Sequence, residues 1–83
     1  MTRDEIRAAV LRALADVAPE ADLSRLDPRV AFREQLDLDS MDVLNLVTAL
    51  HAALGVDVPE SEYARLSTLD AAVEYLAARL GGG

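Results

Sequence analysis

Leu36-Asp37-Leu38-Asp39-Ser40-Met41-Asp42 lies near the middle of the 83-residue chain, and Leu44, Val47, Leu50 and Leu54 follow it at helical spacing up to Gly55. Steps of three and four residues place these apolar side chains on one face of an α-helix, and glycine ends it by tolerating left-handed backbone angles. Asp39 is positioned to cap the helix by accepting the free amide near Asp42, while Asp42 at the third helical position reaches back in a capping box. Ser40 is then the first helical residue, its hydroxyl toward solvent. Because Asp39 already supplies the cap, Ser40 is redundant for folding and free for modification.

On the N-terminal side, Ile6, Val10, Leu11, Leu14 and Val17 form one helical face over Arg3–Val17, with Thr2 as its cap and Asp4 and Glu5 favouring its N-terminal dipole. Pro19 ends this helix, since proline disfavours helical geometry in the residue before it. From Glu20 to Leu38 the pattern loosens into a long loop pinned by Leu23, Leu26, Val30, Phe32, Leu36 and Leu38. A connection of that length without structure of its own is uncommon in a compact domain and is often functional.

Beyond Gly55, Val56-Asp57-Val58 is too short to make a convincing strand, and Pro59 suits the start of a brief helical turn over Glu60 to Arg65, docked by Tyr63 and Leu66. Ser67 or Thr68 begins the last helix, whose buried stripe is Leu69, Ala72, Val73, Leu76 and Leu80. The expected fold is all-α, a small four-helix bundle of three long helices and one short one with a long loop between helices 1 and 2. Residues 1–83 make one domain, with 1–2 and the glycines at 81–83 expected to fray.

Composition excludes several functions. The single histidine, His51, and the absence of cysteine leave no thiol nucleophile and no zinc ligand set. Eight arginines and no lysine against fifteen acids argue against nucleic acid, whose affinity comes largely from cations neutralising phosphate. No apolar run approaches the roughly 20 residues of a membrane span, and no signal-peptide core follows the N-terminus, so a cytoplasmic monomer is expected. The formal net charge of −7 is concentrated between Glu34 and Glu62, where seven acids stand without an arginine. Such a face recruits basic partner surfaces.

Hydrolase chemistry on Ser40 lacks a base: His51 is eleven residues along the same helix, roughly 16 Å away at 1.5 Å per residue. No glycine-rich phosphate loop and no Gly-x-Ser-x-Gly elbow is present. The chain is expected not to be an enzyme.

Four features carry a resemblance: Leu38-Asp39-Ser40-Met41-Asp42, the register of Leu46-Val47 and Leu50, Pro59 ahead of the short helix, and Leu69-Asp70-Ala71-Ala72-Val73-Glu74-Tyr75-Leu76 in the last helix. Over nearly its whole length the chain resembles the acyl carrier proteins, the phosphopantetheine-binding four-helix carriers of fatty-acid, polyketide and related lipid biosynthesis. The resemblance implies that Ser40 receives 4′-phosphopantetheine from coenzyme A through a phosphodiester made by a separate phosphopantetheinyl transferase. Asp39 and Met41 flank that attachment point. Acyl groups are then held as thioesters on the arm and delivered to a ketosynthase, acyltransferase or acyl ligase.

Asp37, Asp42, Val43, Asp57, Glu60 and Glu62 are the implied partner contacts, although Asn45 and His51 occupy positions where many such carriers place glutamate. An acyl chain is implied to enter between the helices near Phe32, Val47, Leu50, Ala72 and Leu76, with ordinary core packing of the same residues as the alternative. An unmodified acidic adaptor that only binds protein partners, and an aminoacyl or peptidyl carrier, are alternative functions. A carrier excised from a larger synthase is a further alternative, disfavoured by a start at Met1 directly before the first helix.

Overall fold

Arg3–Val17 forms helix α1, and Thr2 closes its N-terminus: the Thr2 hydroxyl accepts the Glu5 amide at 3.1 Å and the Thr2 amide donates to the Glu5 carboxylate at 2.7 Å. The Thr2 amide foremost, and the Thr2 side chain after it, hold the Glu5 carboxyl below its ordinary range. Thr2, expected both to cap and to fray, is engaged as a cap. The computed structural model describes residues 1–81, so Gly82 and Gly83 of the expected frayed tail lie outside the described residues. Gly81 is the left-handed C-cap of the last helix.

The long loop is not structureless. Leu23–Arg25 makes one 3-10 turn capped by Asp22, and Phe32–Gln35 makes a single helical turn, α2. Phe32 is the buried anchor, and its amide donates to Ser67 O at 2.7 Å while Asp70 donates its amide to Pro28 O at 3.0 Å. Gln35 braces the interior of the loop. Its side-chain amide donates to Asp27 O at 2.8 Å and Val30 O at 2.9 Å, and its carbonyl accepts the Asp27 amide at 3.0 Å. Periodicity could not reveal this order, because it comes from side-chain to backbone bonds rather than from a repeating apolar face.

Helix α3, Ser40–Leu54, ends at Gly55 with φ +70°, and α4, Leu69–Leu80, starts at Thr68, whose hydroxyl accepts the Ala71 amide at 3.0 Å. Helix α1 packs against both α3 and α4, around Ile6, Val10, Leu14, Leu50, Leu69 and Leu76. Between α3 and α4 a 3-10 helix, Glu60–Leu66, docks on α4, with Leu66 buried and Tyr63 half-buried against the core. Among the described residues the architecture is all-helical, with the three long helices and the short Glu60–Leu66 helix that the sequence predicts and, beyond that expectation, two short helical turns within the long loop.

Three core assignments differ from expectation. Leu44 is 43% exposed and the buried register of α3 is Leu46, Val47 and Leu50. At about 100° per residue Leu44 falls some 120° from Leu50, outside the apolar stripe, whereas Leu46 lies about 40° from it. Val56 and Val58 are both buried, so the stretch too short for a strand, between α3 and the short helix, adds two side chains to the core. Tyr75 and Ala77 join the core of α4, where Val73 and Leu80 are only partly covered.

Candidate functional site

Ser40 stands exposed at the first position of α3. The capping box is complete without it: Asp39 Oδ1 accepts the Asp42 amide at 2.9 Å, and Asp42 Oδ2 accepts the Asp39 amide at 3.1 Å. Among the described residues the Ser40 hydroxyl takes no partner, which leaves its oxygen both accessible and unengaged. A helix N-terminus also favours a nearby phosphate through its free amides and dipole. An exposed alcohol at that position fits a phosphodiester, and Asp39 holds the helix end that presents it.

Two residues before this box stands the one non-glycine positive φ among the described residues, Asp37 at +53°. Aspartate tolerates left-handed geometry better than most residues, and this turn carries the chain from α2 into the serine helix.

The remaining predicted site residues separate into four groups. Met41 is 62% exposed and, with Leu44 one turn on, forms the apolar part of the outer face of α3. Asp37, Asp57 and Glu60 are exposed carboxylates at the two ends of that face, and Asp57 Oδ1 stands 3.9 Å from His51 Nδ1. Asp42 and Glu62 are engaged within the fold: Asp42 in the capping box, and Glu62 as acceptor for the Tyr75 hydroxyl. Val43 is half-buried and lines a cavity rather than the outer face.

That cavity, about 320 Å³, is bounded by Phe32 and Leu38 from the loop, Val43, Leu46 and Val47 from α3, and Tyr63 and Leu66 from the short helix. Of the residues expected to admit an acyl chain, Phe32 and Val47 line it. Leu50, Ala72 and Leu76 are packed in the core instead. Sequence reasoning missed Leu44 as an outer-face residue, and the helical angle measured from Leu50 was the signal available for it. Among the described residues no cluster of metal-ligating side chains is present, and no described helix is long and apolar enough to cross a membrane.

Comparison with known proteins agrees with this geometry. A family model described as a phosphopantetheine attachment site matches residues 8–76. The acyl carrier protein of Rubrobacter xylanophilus is 34% identical over 76 residues, covering 92% of this chain and 93% of that one. A solved A1-type acyl carrier domain from module 5 of MLSA1 superposes with a TM-score of 0.75 at 30% identity, over 100% of this chain and 87% of that one. The solved acyl carrier protein of Enterococcus faecalis shares the fold, with a TM-score of 0.79 at 22% identity over 95% of this chain and 99% of that one. With its match to the attachment-site model spanning most of its length, the chain belongs to the acyl carrier protein family, whose members are carriers rather than catalysts and bear a covalent 4′-phosphopantetheine group.

Proposed function

We propose that Ser40 is the residue that accepts the 4′-phosphopantetheine group, and that α3 from Met41 to His51 is the face presented to partner enzymes. The observation that carries the reading is the division of labour at the start of α3: Asp39 and Asp42 satisfy the helix end, and the serine hydroxyl between them is exposed and unengaged. When attached, the arm supplies the thiol on which acyl groups travel. The chain itself supplies position. Its one histidine, His51, lies eleven residues along the same helix, and the carboxylates of Asp39 and Asp42 are engaged in the cap, which supports a phosphodiester made by a separate transferase.

Members of the family meet synthases and transferases in turn, which requires contacts that form fast and release. Met41 and Leu44 provide a small apolar footing, and Asp37, Asp57 and Glu60 flank it with charge that steers basic surfaces at long range. Asn45 and His51 leave the middle of the helix without a carboxylate, so steering of basic surfaces falls to its ends. The apolar cavity beside Val43 is the proposed shelter for a carried acyl chain. The proposal extends to a cytoplasmic monomer serving a ketosynthase, acyltransferase or acyl ligase.

Co-expression with a broad-specificity phosphopantetheinyl transferase, followed by intact-mass measurement, tests the attachment. The expected result is a gain of one phosphopantetheine mass that is lost in Ser40→Ala and kept in Met41→Ala. An Ser40→Ala protein that still gains the group would refute the assignment, and a wild-type protein that never gains it would favour an unmodified adaptor.

A further inference from the structure

Tyr75 is 5% exposed, and neither the serine nor the outer face of α3 uses it. Its hydroxyl donates to the Glu62 carboxylate on the Glu60–Leu66 helix. The guanidinium carbons of Arg65 and Arg79 stand 5.2 and 5.5 Å from its ring centroid, and Arg79 also donates to Asp57 O at 2.9 Å. Hydrogen bond, ring and cations together fasten the short helix, and the segment leading into it, to α4.

The short helix needs such fastening. It is of the 3-10 type, whose hydrogen bonds are poorer than those of an α-helix, and Pro59 gives it no side-chain cap. Leu66 is its one buried residue. Yet this weakly self-supported element forms one wall of the 320 Å³ cavity through Tyr63, Ala64 and Leu66, facing Val43, Leu46 and Val47 across the opening.

We propose that Tyr75 is a positioning residue for cargo: its clasp on Glu62 fixes the stance of the short helix, and so the width of the cavity and the length of acyl chain it admits. The inference rests on the reading of that cavity as the cargo shelter. Tyr75 touches no cargo itself. It acts through the wall that it holds, with Arg65 and Arg79 keeping the ring in place.

The first measurement is segment-resolved hydrogen exchange on the unloaded full chain. Tyr75→Phe keeps the buried ring and removes only the hydroxyl, and exchange within Glu60–Leu66 is expected to rise roughly tenfold while α1 and α3 are unchanged. Glu62→Ala should reproduce that rise, and Glu62→Gln, which keeps a carbonyl acceptor, should retain most of the protection. A uniform rise over all helices, or none, overturns the proposal.

The second measurement is the thermal midpoint of protein loaded with butanoyl, octanoyl or dodecanoyl arms. In Tyr75→Phe the chain length giving the largest rise should be longer than in wild type. A wild-type midpoint that no chain raises removes the shelter, and this proposal with it. A raised wild-type midpoint with the same preference in Tyr75→Phe removes this proposal alone.

Discussion

Asp39 and Asp42 each accept the other's backbone amide, at 2.9 and 3.1 Å, and the residue next to Asp39 inside that loop of bonds is Ser40. The pair separates stability from chemistry along one turn of helix. Losing the cap should therefore cost stability, and losing the serine should cost only function.

Asp39→Ala is expected to destabilise the chain by about 1 kcal/mol, a typical loss for a helix cap. In a domain of this size that lowers Tm by roughly 4–8 °C. Asp39→Asn, which keeps an acceptor, should retain most of that, and Ser40→Ala should stay within about 0.5 kcal/mol of wild type. Thermal denaturation of the three variants decides it. Equal losses for Asp39→Ala and Ser40→Ala would mean that the hydroxyl is structural after all.

Leu44 offers the cleanest separation of docking from folding. Because it is 43% exposed, Leu44→Asn removes little buried surface, and the stability change should lie within about 0.5 kcal/mol. Transfer of an acyl group to a cognate partner enzyme should lose roughly tenfold in kcat/KM if an apolar contact of about 1.4 kcal/mol is made there. Unchanged transfer would remove Leu44 from the docking face. Asp57→Asn should act differently, through a weaker dependence of association rate on salt, since it alters steering rather than contact.

How far these features could be read beforehand depended on whether one strong local signal carried them. The cap at Asp39, the stop at Gly55 and the face of α1 through Ile6, Val10 and Leu14 are local, and sequence alone places them, whereas it places only Leu69, Ala72 and Leu76 of the face of α4. Leu44 misled because a run containing Val43, Leu44, Leu46 and Val47 supports more than one helical face until the angle from Leu50 is measured. Val56 and Val58 were hidden for another reason: two valines around one aspartate are too short to show a period, and their burial comes from the fold around them. Glu62 reads as a free surface acid in sequence, and only the fold brings Tyr75 within reach of it.

Gln35 is a second residue whose role only the fold reveals, and it leads to a direct test. One side chain satisfies the Asp27 amide and two carbonyls inside the loop that delivers Ser40. Gln35→Ala leaves these partly buried groups without partners, at a cost of about 1–3 kcal/mol. Gln35→Glu replaces two donated bonds with a carboxylate facing carbonyl oxygens and should be at least as harmful. Urea denaturation measures both, and a loss below about 0.5 kcal/mol for Gln35→Ala would mean that Phe32 alone orders the loop.

Tyr75 gives a pH dependence whose sign follows from its surroundings. The hydrogen bond to Glu62 is the main cause that raises the phenol above its ordinary value of 10, and burial adds to it, while Arg79 and Arg65 partly oppose the rise. Folding thus favours the neutral phenol. Its contribution is fully present below about pH 10, the value in the unfolded chain, and is lost as pH climbs through the higher value in the folded chain. Ionisation also removes the proton donated to Glu62 and sets two negative oxygens against each other, so the clasp opens. The thermal midpoint of wild type should therefore fall more steeply above pH 10 than that of Tyr75→Phe, which has no phenol to ionise there. Midpoints recorded at quarter-unit steps from pH 8.5 to about 11.5, within the range where arginine keeps its charge, make the comparison. Parallel curves would mean that the hydroxyl is not held by Glu62 in solution.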